Sequence, residues 1–449
     1  MSATKTVSPT RNLQNRSRFQ DMVRSLRYRN FQLFFSGQLI SLIGTWMDNV
    51  AEAWLVYRLT GSSLLLGTVA FAGQIPIFLL GPLGGFVADR WDRRKIVIAT
   101  QISSMILAFI LSFLTLTKRV TVWEVALLAA LMGVVNAFDV PARQSLLVDL
   151  VGREDLMNAI ALNSSMFNGA RIIGPSVAGI LVASIGEGWC FFANAVSYIA
   201  VITGLLMMRM QRAAFEKPSS PFDHIAEGFR FVRDTRPIRA LLLLLGLVSV
   251  VALPYSVLMP IFAAKILHGN ARTLGVLMGA TGIGALAGAL MLASRTQLQG
   301  LGKLVATSCA GFGACLILFS FSRSYPISVL LLVPVGFFVM VQMASTNTLI
   351  QSMVPDRLRG RTMAVYSMTL LGMAPIGAFL SGAVAEHIGA PWTVAIGGLG
   401  AIAGAAVFAR HLPTIRVEAR ELIIAQGLAG GDPAQEMNAG SVSQASLRN

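Results

Sequence analysis

The sequence predicts an all-α polytopic membrane protein with twelve transmembrane helices arranged in two six-helix halves. Three observations lead to this fold class: a low content of charged residues, apolar runs of membrane-spanning length, and an internal repeat. Only 13% of the 449 residues are charged, whereas a soluble domain carries about 25%. The mean hydropathy of +0.67 also places the chain in the membrane class.

Twelve apolar runs have the length of about 20 residues that a helix needs to cross the hydrocarbon core. Each run is predicted to be a helix, because an isolated segment in lipid must satisfy its own backbone hydrogen bonds. The predicted spans are 31–57, 63–88, 95–116, 121–147, 160–184, 188–208, 238–264, 272–294, 302–321, 326–352, 362–385 and 391–410.

The distribution of Lys and Arg predicts that both termini are cytoplasmic. In that orientation the outer loops hold only six of the 36 basic residues, and Arg171 lies within a span. The outer six are Arg58, Lys118, Arg119, Lys265, Arg272 and Arg323. Cytoplasmic loops carry the excess of basic residues in polytopic proteins. The net charge of +15 therefore reflects topology, and we expect membrane lipids but no nucleic acid as partners.

The longest break between spans, 209–237, divides the twelve spans into two sets of six. It contains "DHIAEGFRFVRDTRP", which predicts a short amphipathic helix. We expect a cytoplasmic N-terminal segment over 1–30, six-helix halves over 31–208 and 238–412, and a cytoplasmic tail over 413–449. The tail is rich in Gly, Ala, Ser and Gln and is predicted to be disordered.

The two halves are related by an internal repeat at an offset of 203 residues, which aligns 151–186 with 354–389 without gaps. Small residues at such spacing let helix backbones approach closely. Duplicated six-helix halves are typical of transporters whose site lies between the halves. Seven glycines fall on glycines at this offset, namely Gly81, Gly85, Gly133, Gly169, Gly174, Gly179 and Gly186.

The loop after the second span, "GGFVADRWDRRK", resembles the loop signature of the major facilitator superfamily. By this resemblance the loop braces the halves in the outward-open state. Asp89 would contact the start of the eleventh helix, and Arg90 and Arg93 would pair with nearby carboxylates. The Gly that the signature has after the position of Asp92 is absent here. The residues that match are Gly85, Asp89, Arg90, Arg93, Arg94 and Lys95.

The resemblance covers about residues 20–412 and narrows to the branch that includes the enterobactin exporter and macrolide-efflux-like proteins. Among the matching phrases are "RNFQLFFSGQLISLIGTWM" and "DVPARQSLLVDLVGREDLMNAIALN". In the fifth span "GARIIGPSVAG" resembles the antiporter signature, through Gly169, Gly174, Pro175 and Gly179. The resemblance implies a monomeric secondary active exporter in the bacterial inner membrane, which moves a small amphipathic drug or siderophore-like metabolite by alternating access.

The energy source is inferred by elimination and by the same resemblance. No phosphate-binding loop of the form G-x-x-x-x-G-K-[ST] occurs, so ATP hydrolysis by that route is excluded. The four histidines form no catalytic pattern, and we expect no enzymatic activity, metal or cofactor. The implied energy source is a proton gradient, which makes protons a second partner beside the small-molecule substrate.

Charged residues in the cores of the spans are confined to the first half, and each costs at least about 2.5–3.5 kcal/mol at the bilayer centre. They are Asp48, Glu52, Asp139 and Arg171. In the first span a polar stripe recurs at steps of three and four residues on one helical face. By resemblance this face lines the central cavity, where a buried carboxyl group is a candidate proton carrier. The polar stripe consists of Gln38, Ser41, Thr45, Asp48 and Glu52.

These charges also have structural interpretations. Asp48 can be the partner of Arg171, and Glu52 can reach the outer interface instead of the cavity. Asp139 lies four residues before Arg143, and we expect these two to form a structural charge pair. Arg171 either balances a carboxylate or binds an anionic group of the substrate.

Several functions stay open at this point. In a proton antiporter, protonation of Asp48 would compete with an amphipathic or cationic substrate. In a siderophore exporter, Arg171 would hold an anionic group. A lipid translocase would move a lysolipid or glycolipid between leaflets. A sensor or scaffold has the least support, because the central loop and the tail are too short for a signalling domain.

Overall fold

Helices account for nearly all residues that the computed structural model describes, which are 24–208, 221–295 and 299–426. The first half consists of α1 (Arg29–Thr60), α2 (Ser63–Arg90), α3 (Arg93–Leu116), α4 (Val122–Gly152), α5 (Glu154–Ile185) and α6 (Glu187–Met207). The second half consists of α7 (Arg236–Ile266), α8 (Ala271–Ala293), α9 (Leu301–Phe321), α10 (Tyr325–Met353), α11 (Asp356–Ile388) and α12 (Ala390–Ala425). The predicted twelve-helix fold class is confirmed.

Helix α1 differs from the others in composition. Within the described residues, eleven helices are long and apolar enough to cross a membrane, and α1 is not among them. The polar stripe lowers its hydropathy, although its 32 residues exceed the length needed for a span. It nevertheless packs closely in the bundle. A Cβ atom on Gly37 would lie 3.0 Å from the backbone of Val201 in α6.

Two predicted boundaries are wrong. The loop expected between the fourth and fifth spans is helical, since α4 runs to Gly152 and α5 begins at Glu154. Gly152 has a φ of +74°, a conformation that glycine adopts without strain, so one residue suffices for the turn. The disordered tail expected from 413 is helical as far as Ala425, because α12 continues past Pro413. Residues 427–449 lie outside the described residues.

An amphipathic helix in the central loop is present, as predicted, at Pro221–Asp234, and we call it the central helix. Residues 209–220 of the same loop lie outside the described residues. The central helix packs against the start of α11. Glu227 forms an ion pair with Arg361, and a Cβ atom on Gly228 would lie 2.7 Å from the carbonyl oxygen of Arg361. The loop is thereby joined to the second half.

Helix α7 is regular only as far as Val251 and continues through a 3₁₀ segment, Leu253–Leu258, and a π segment, Phe262–Ile266. Proline residues cause the change, because Pro254 and Pro260 have no backbone N–H to donate. Irregular backbone at membrane depth is tolerated where protein surrounds it. Gly377 of α11 and Gly397 of α12 pack closely against the end of the regular part of α7, because their Cβ atoms would lie 2.5 and 2.2 Å from the carbonyl oxygens of Val250 and Val251.

The internal repeat is visible in the packing of the helices. Gly174 of α5 lies against the backbone of α1, where its Cβ atom would be 3.0 Å from the carbonyl oxygen of Ile43 and 3.1 Å from the amide nitrogen of Met47. Gly377, its counterpart at the offset of 203, lies against α7, where its Cβ atom would be 2.5 Å from the carbonyl oxygen of Val250. Since Val250 is the counterpart of Met47, the duplicated sequence builds duplicated contacts.

The two halves converge at one face of the bundle. We call the face with the start of α1 and the end of α12 the terminal face, and the opposite face the far face. Near the far face, a Cβ atom on Gly275 of α8 would lie 2.5 Å from the carbonyl oxygen of Pro175 in α5. A Cβ atom on Gly67 of α2 would likewise lie 2.5 Å from the carbonyl oxygen of Ala378 in α11. Nearer the terminal face, Cβ atoms on Gly81 and Gly169 would meet nothing within 4 Å. The cleft between the halves therefore opens toward the terminal face.

A carboxylate of the second half caps a helix of the first half at the far face. Glu386 of α11 accepts hydrogen bonds from the hydroxyl groups of Ser62 and Ser63, at 3.1 and 2.7 Å, and from the backbone N–H of Leu64 at 3.1 Å. A carboxylate at the N-terminus of a helix also interacts favourably with the helix dipole. The contact therefore stabilises the closed far face.

We expect Glu386→Ala to increase the population in which the far face is open. The substitution removes three hydrogen bonds to a charged group, each worth about 1.5–3 kcal/mol. Spin labels at the start of α2 and at the end of α11, which both lie at the far face, measure the distance between the halves there. Glu187→Ala is the matched control, because Glu187 pairs with Arg58 at 2.7 Å within the first half. Equal distance distributions for the two variants would contradict the prediction.

Candidate functional site

Helix α1 presents two groups of candidate residues on nearly opposite faces. Consecutive residues of an α-helix are about 100° apart, so Trp46 and Asp48 point about 200° apart around the helix. Trp46 contacts Phe167 and Arg171 of α5, and Asp48 faces Asn194 of α6. The candidate site thus has a basic part between the two halves and an acidic part inside the first half.

The basic part centres on Arg171. Its guanidinium group lies 5.7 Å from the centroid of the Trp46 ring, and that ring makes an edge contact with Phe167 at a centroid distance of 5.5 Å. No ion pair among the described residues includes Arg171. Arg171 is thus a half-buried cation beside aromatic rings, without a paired carboxylate in the described residues, and its N–H groups can bind an anionic group.

The second half approaches Arg171 from α7 and α8. A Cβ atom on Gly282 of α8 would lie 3.3 Å from the carbonyl oxygen of Arg171. Tyr255, in the 3₁₀ segment of α7, lies within electrostatic reach of Arg171, and its hydroxyl group faces Thr281 of α8. Four helices from both halves therefore meet at this residue, as expected of a site that is accessible in alternation.

The acidic part lies in the interface between α1 and α6. Asp48 is 9% exposed, and its Oδ1 atom has no hydrogen-bond partner. Asn194, which faces it, is 1% exposed and leaves its Nδ2 atom without a partner. Gly44 makes room for this contact, since a Cβ atom there would lie 2.6 Å from Oδ1 of Asn194.

Glu52 lies one helical turn beyond Asp48 and is half-buried. Its carboxyl group interacts with that of Asp48. No Lys or Arg in the described part of the chain forms an ion pair with either carboxylate. The ion pair of Asp48 with Arg171, which was one of the alternatives for Asp48, is therefore absent among the described residues, because the two side chains lie on different sides of α1.

The polar stripe does not face the cleft as a whole, contrary to the expectation. Gln38 and Ser41 are buried, and Oε1 of Gln38 accepts a hydrogen bond of 3.3 Å from Arg143 of α4. The hydroxyl group of Thr45 donates to the carbonyl oxygen of Ser41. The stripe lies against α4 and α6 because those helices offer polar partners.

Two residues of this region were missed by the sequence reasoning. Asn194 and Tyr198 of α6 face the stripe, and Tyr198 lies beside Thr45. An Asn and a Tyr four residues apart in an apolar span were the available signal.

Asp139 and Arg143 form an ion pair in α4, with Nε of Arg143 at 3.2 Å from Oδ2 of Asp139. The other carboxylate oxygen accepts hydrogen bonds from Thr100 and Gln101 of α3, at 2.8 and 3.0 Å. Since every charge in this group is compensated, the group stabilises the packing of α3 against α4.

In the loop signature, two arginines contact neighbouring helices of the first half. Arg93 is bonded to both carboxylate oxygens of Asp149 in α4, at 3.1 and 3.0 Å. Arg94 donates to the carbonyl oxygens of Leu205 and Leu206 at the end of α6. The expected carboxylate partner is present for Arg93, and Arg94 satisfies carbonyl groups that the helix end leaves free.

Among the described residues, no hydrogen bond or ion pair joins the remaining residues of the loop signature to α11. Asp89 is exposed, and a Cβ atom on Gly85 would meet nothing within 4 Å. Arg90 lies over the ring of Phe86, at 4.1 Å from its centroid, and the carboxylate partner expected for it is absent among the described residues. The brace implied for the outward-open state is unformed, because the halves are apart at the terminal face.

The antiporter-like motif in α5 provides packing surfaces. Gly174 lies against α1, and Gly179 lies against α8, where its Cβ atom would be 3.0 Å from Cα of Gly275. The carbonyl oxygen of Pro175 would lie 2.5 Å from a Cβ atom on Gly275. Gly169, nearer the terminal face, borders open space. Most of the motif thus belongs to the contact between the halves.

We expect Arg143→Ala to lower the free energy of unfolding by about 3 kcal/mol, since it leaves the buried carboxylate of Asp139 without a cation. Thermal unfolding in detergent measures the loss. Arg90→Ala is the control, because that side chain is exposed and has only a ring contact. A similar loss of stability in both variants would show that the Asp139 pair is not special.

The chain matches the model of a protein family described as transmembrane secretion effector, over residues 22–430. It is also similar to several curated transporters. It is 26% identical to the staphyloferrin A transporter of Staphylococcus aureus, over 84% of this chain and 94% of that protein. It is 27% identical to the multidrug efflux pump Tap of Mycolicibacterium fortuitum, over 77% of this chain and 87% of that pump. It is 25% identical to the enterobactin exporter EntS of Salmonella choleraesuis, over 83% of this chain and 89% of that exporter.

Solved structures of transporters share the fold. The nucleoside transporter NupG superposes with a TM-score of 0.66 at 14% identity, over 85% of this chain and 98% of that chain. A bacterial homologue of the iron transporter ferroportin, in an inward-facing state, superposes with a TM-score of 0.66 at 16% identity, over 85% of this chain and 98% of that chain.

Proposed function

We propose that this protein exports substrates that carry an anionic group and that protons drive their export. The premise is that the chain belongs to the transmembrane secretion effector family of the major facilitator superfamily and is therefore a secondary transporter that exports small molecules. We further propose that the terminal face is cytoplasmic, as the distribution of basic residues predicts, and that the chain works as a monomer in the bacterial inner membrane.

The anionic substrate group is supported chiefly by Arg171. This cation lies where four helices of both halves meet, and it pairs with no carboxylate in the described residues. A cationic substrate would meet a like charge there, whereas a carboxylate or catecholate would be stabilised by a charge-assisted hydrogen bond. Trp46 and Phe167 supply an apolar surface for the rest of an amphipathic molecule. Similar proteins named for staphyloferrin A and enterobactin favour a siderophore-like substrate.

Drug export is the second candidate. Its support is the similarity to the multidrug efflux pump Tap. Asp48, which would attract a cationic drug, faces α6 and lies on the other side of α1 from Arg171. The siderophore-like substrate therefore has the stronger physical argument.

Proton coupling is supported by the carboxylates in α1. Asp48 and Glu52 are close to one another within the membrane, with no cation paired to either in the described residues. Keeping such groups ionised in a medium of low polarity is costly. A bound proton removes that cost, so the pair is suited to take up protons from one side and release them to the other.

Alternating access follows from the cleft. With the terminal face in the cytoplasm, the conformation is inward-open, and the substrate reaches Arg171 from the cytoplasm. Opening of the far face requires Glu386 to leave the N-terminus of α2. Closure of the terminal face would bring Asp89 toward α11.

We expect Arg171→Ala to raise the apparent KM for a carboxylate or catecholate siderophore at least tenfold, which corresponds to about 1.4 kcal/mol. Efflux from proteoliposomes measures the change. Ethidium, an amphipathic cation, is the matched control substrate, and Arg171→Ala is expected to leave its apparent KM unchanged. An unchanged KM for both siderophores would contradict the role of Arg171 in binding an anionic group.

We expect Asp48→Asn and Glu52→Gln to abolish transport driven by a pH gradient, since neither amide can carry a proton. Exchange of labelled for unlabelled substrate at equal pH should persist, because it needs no net proton movement. Asn49→Ala, next to Asp48 on the same helix, is the control for folding. If both carboxylate variants pump at the rate of the unmodified protein, protons are not coupled through this pair.

A further inference from the structure

We propose that the proton is bound in the packed interface between α1 and α6, that Asn194 and Tyr198 are positioning residues of this site, and that protonation acts on the Arg171 site through α1 and not by direct competition. This inference rests on the proposed proton-driven export and specifies where the two ligands of that process bind.

The two sites are separated by the body of α1. Trp46 covers Arg171 on the side of α5, and Asp48 faces Asn194 on the side of α6. A substrate group on Arg171 therefore cannot touch a proton on Asp48. Competition for one position, as in an antiporter with a shared carboxylate, is excluded by this geometry.

The interface between α1 and α6 has the features of a built site. Asp48 is buried with one oxygen unpartnered, and Asn194 is buried with its amide nitrogen unpartnered. The hydroxyl group of Tyr198, itself 5% exposed, lies beside Thr45 and Asn194. Buried polar atoms without a partner are rare, and Asp48 and Asn194 face one another within hydrogen-bonding reach. A hydrogen bond between them would therefore strengthen or weaken as the charge of Asp48 changes.

Few other titratable groups face Asp48. On its own helix the neighbour is Glu52, and on α6 the neighbours are Cys190 and Tyr198. Tyr198 also interacts with Asp139 of α4, whose charge Arg143 compensates. On the side of α5, Arg171 faces Trp46. Asp48 and Glu52 are thus the two carboxyl groups that interact with each other in this interface, among the described residues.

Helix α1 is suited to transmit a change at Asp48. It is held on both sides by contacts without space for an added Cβ atom. On the side of α6, a Cβ atom on Gly204 would lie 2.8 Å from the carbonyl oxygen of Leu33. On the side of α5, a Cβ atom on Gly174 would overlap the Cβ atom of Trp46. Because packed interfaces shift as units, a displacement of α1 at Asp48 also displaces Trp46 over Arg171.

The coupling is then a free energy between two distinct sites, and it is reciprocal. Protonation changes the affinity for the anionic substrate by a limited factor, and substrate changes proton affinity by the same factor. A shared site would instead make the two ligands mutually exclusive.

The test uses the pH dependence of conformation without any substrate. Spin labels at the far ends of α2 and α11, in a variant whose three native cysteines are replaced, report the fraction of molecules with an open far face between about pH 5 and pH 9. We expect a pH-dependent open fraction, its loss when Asp48→Asn and Glu52→Gln are combined, and a displacement of the midpoint by about one pH unit in Asn194→Ala and in Tyr198→Phe. The nearly isosteric Tyr198→Phe keeps the test valid if Asn194→Ala fails to fold. Asn49→Ala is the matched control and should leave the midpoint unchanged.

Arg171→Ala separates the outcomes. A midpoint unchanged in this variant, together with displaced midpoints for Asn194 and Tyr198, supports a proton site separate from the substrate site. A midpoint displaced by Arg171→Ala as far as by Asn194→Ala, or unmoved by both α6 variants, overturns the inference while proton coupling stands. No pH dependence in the unmodified protein overturns proton coupling itself, and with it the inference.

Discussion

The cost of an unpaired charge in a medium of low polarity governs this molecule. Asp139 meets that cost with a cation and two hydrogen-bond donors, so its group is part of the scaffold. Asp48 and Glu52 have no cation among the described residues, and Arg171 has no anion there. Because these charges have no partner in the described residues, we propose protons and an anionic substrate as their ligands. In this proposal, an intramembrane charge with a partner is structural, and one without a partner takes part in transport.

Close approach of helix backbones is the second constraint, and the duplicated glycines provide it. Gly174 and Gly377 seat α5 on α1 and α11 on α7, while Gly67 and Gly275 join the halves at the far face. The same spacing thus builds each half and the contact between them. Glu386 adds a charged contact to an otherwise apolar interface. Such contacts are short-range, so the halves can be tightly joined at one face and apart at the other.

Sequence periodicity predicted the twelve helices well, because a span must be apolar and helical whatever its neighbours are. Sequence periodicity failed for features that depend on how a helix packs against its neighbours. Arg171 was one candidate partner of Asp48, yet the two lie on opposite sides of α1. A single sequence does not show which faces of two helices meet. The polar stripe was expected to line the cavity, yet Gln38 contacts Arg143 of α4. Asn194 and Tyr198 went unnoticed because only their packing against α1 distinguishes them from other polar residues of the apolar spans.

By itself, the sequence determined the membrane class, the helical fold, the repeat and the restriction of charge in the cores of the spans to the first half. Each of these follows from composition or from local hydrogen bonding, which lipid makes obligatory. Only the tertiary structure decided which charges are compensated, which face of α1 meets α6, and at which face the halves meet. Those features depend on the rotation of each helix about its axis and on its neighbours, and both are set by packing between residues far apart in the chain.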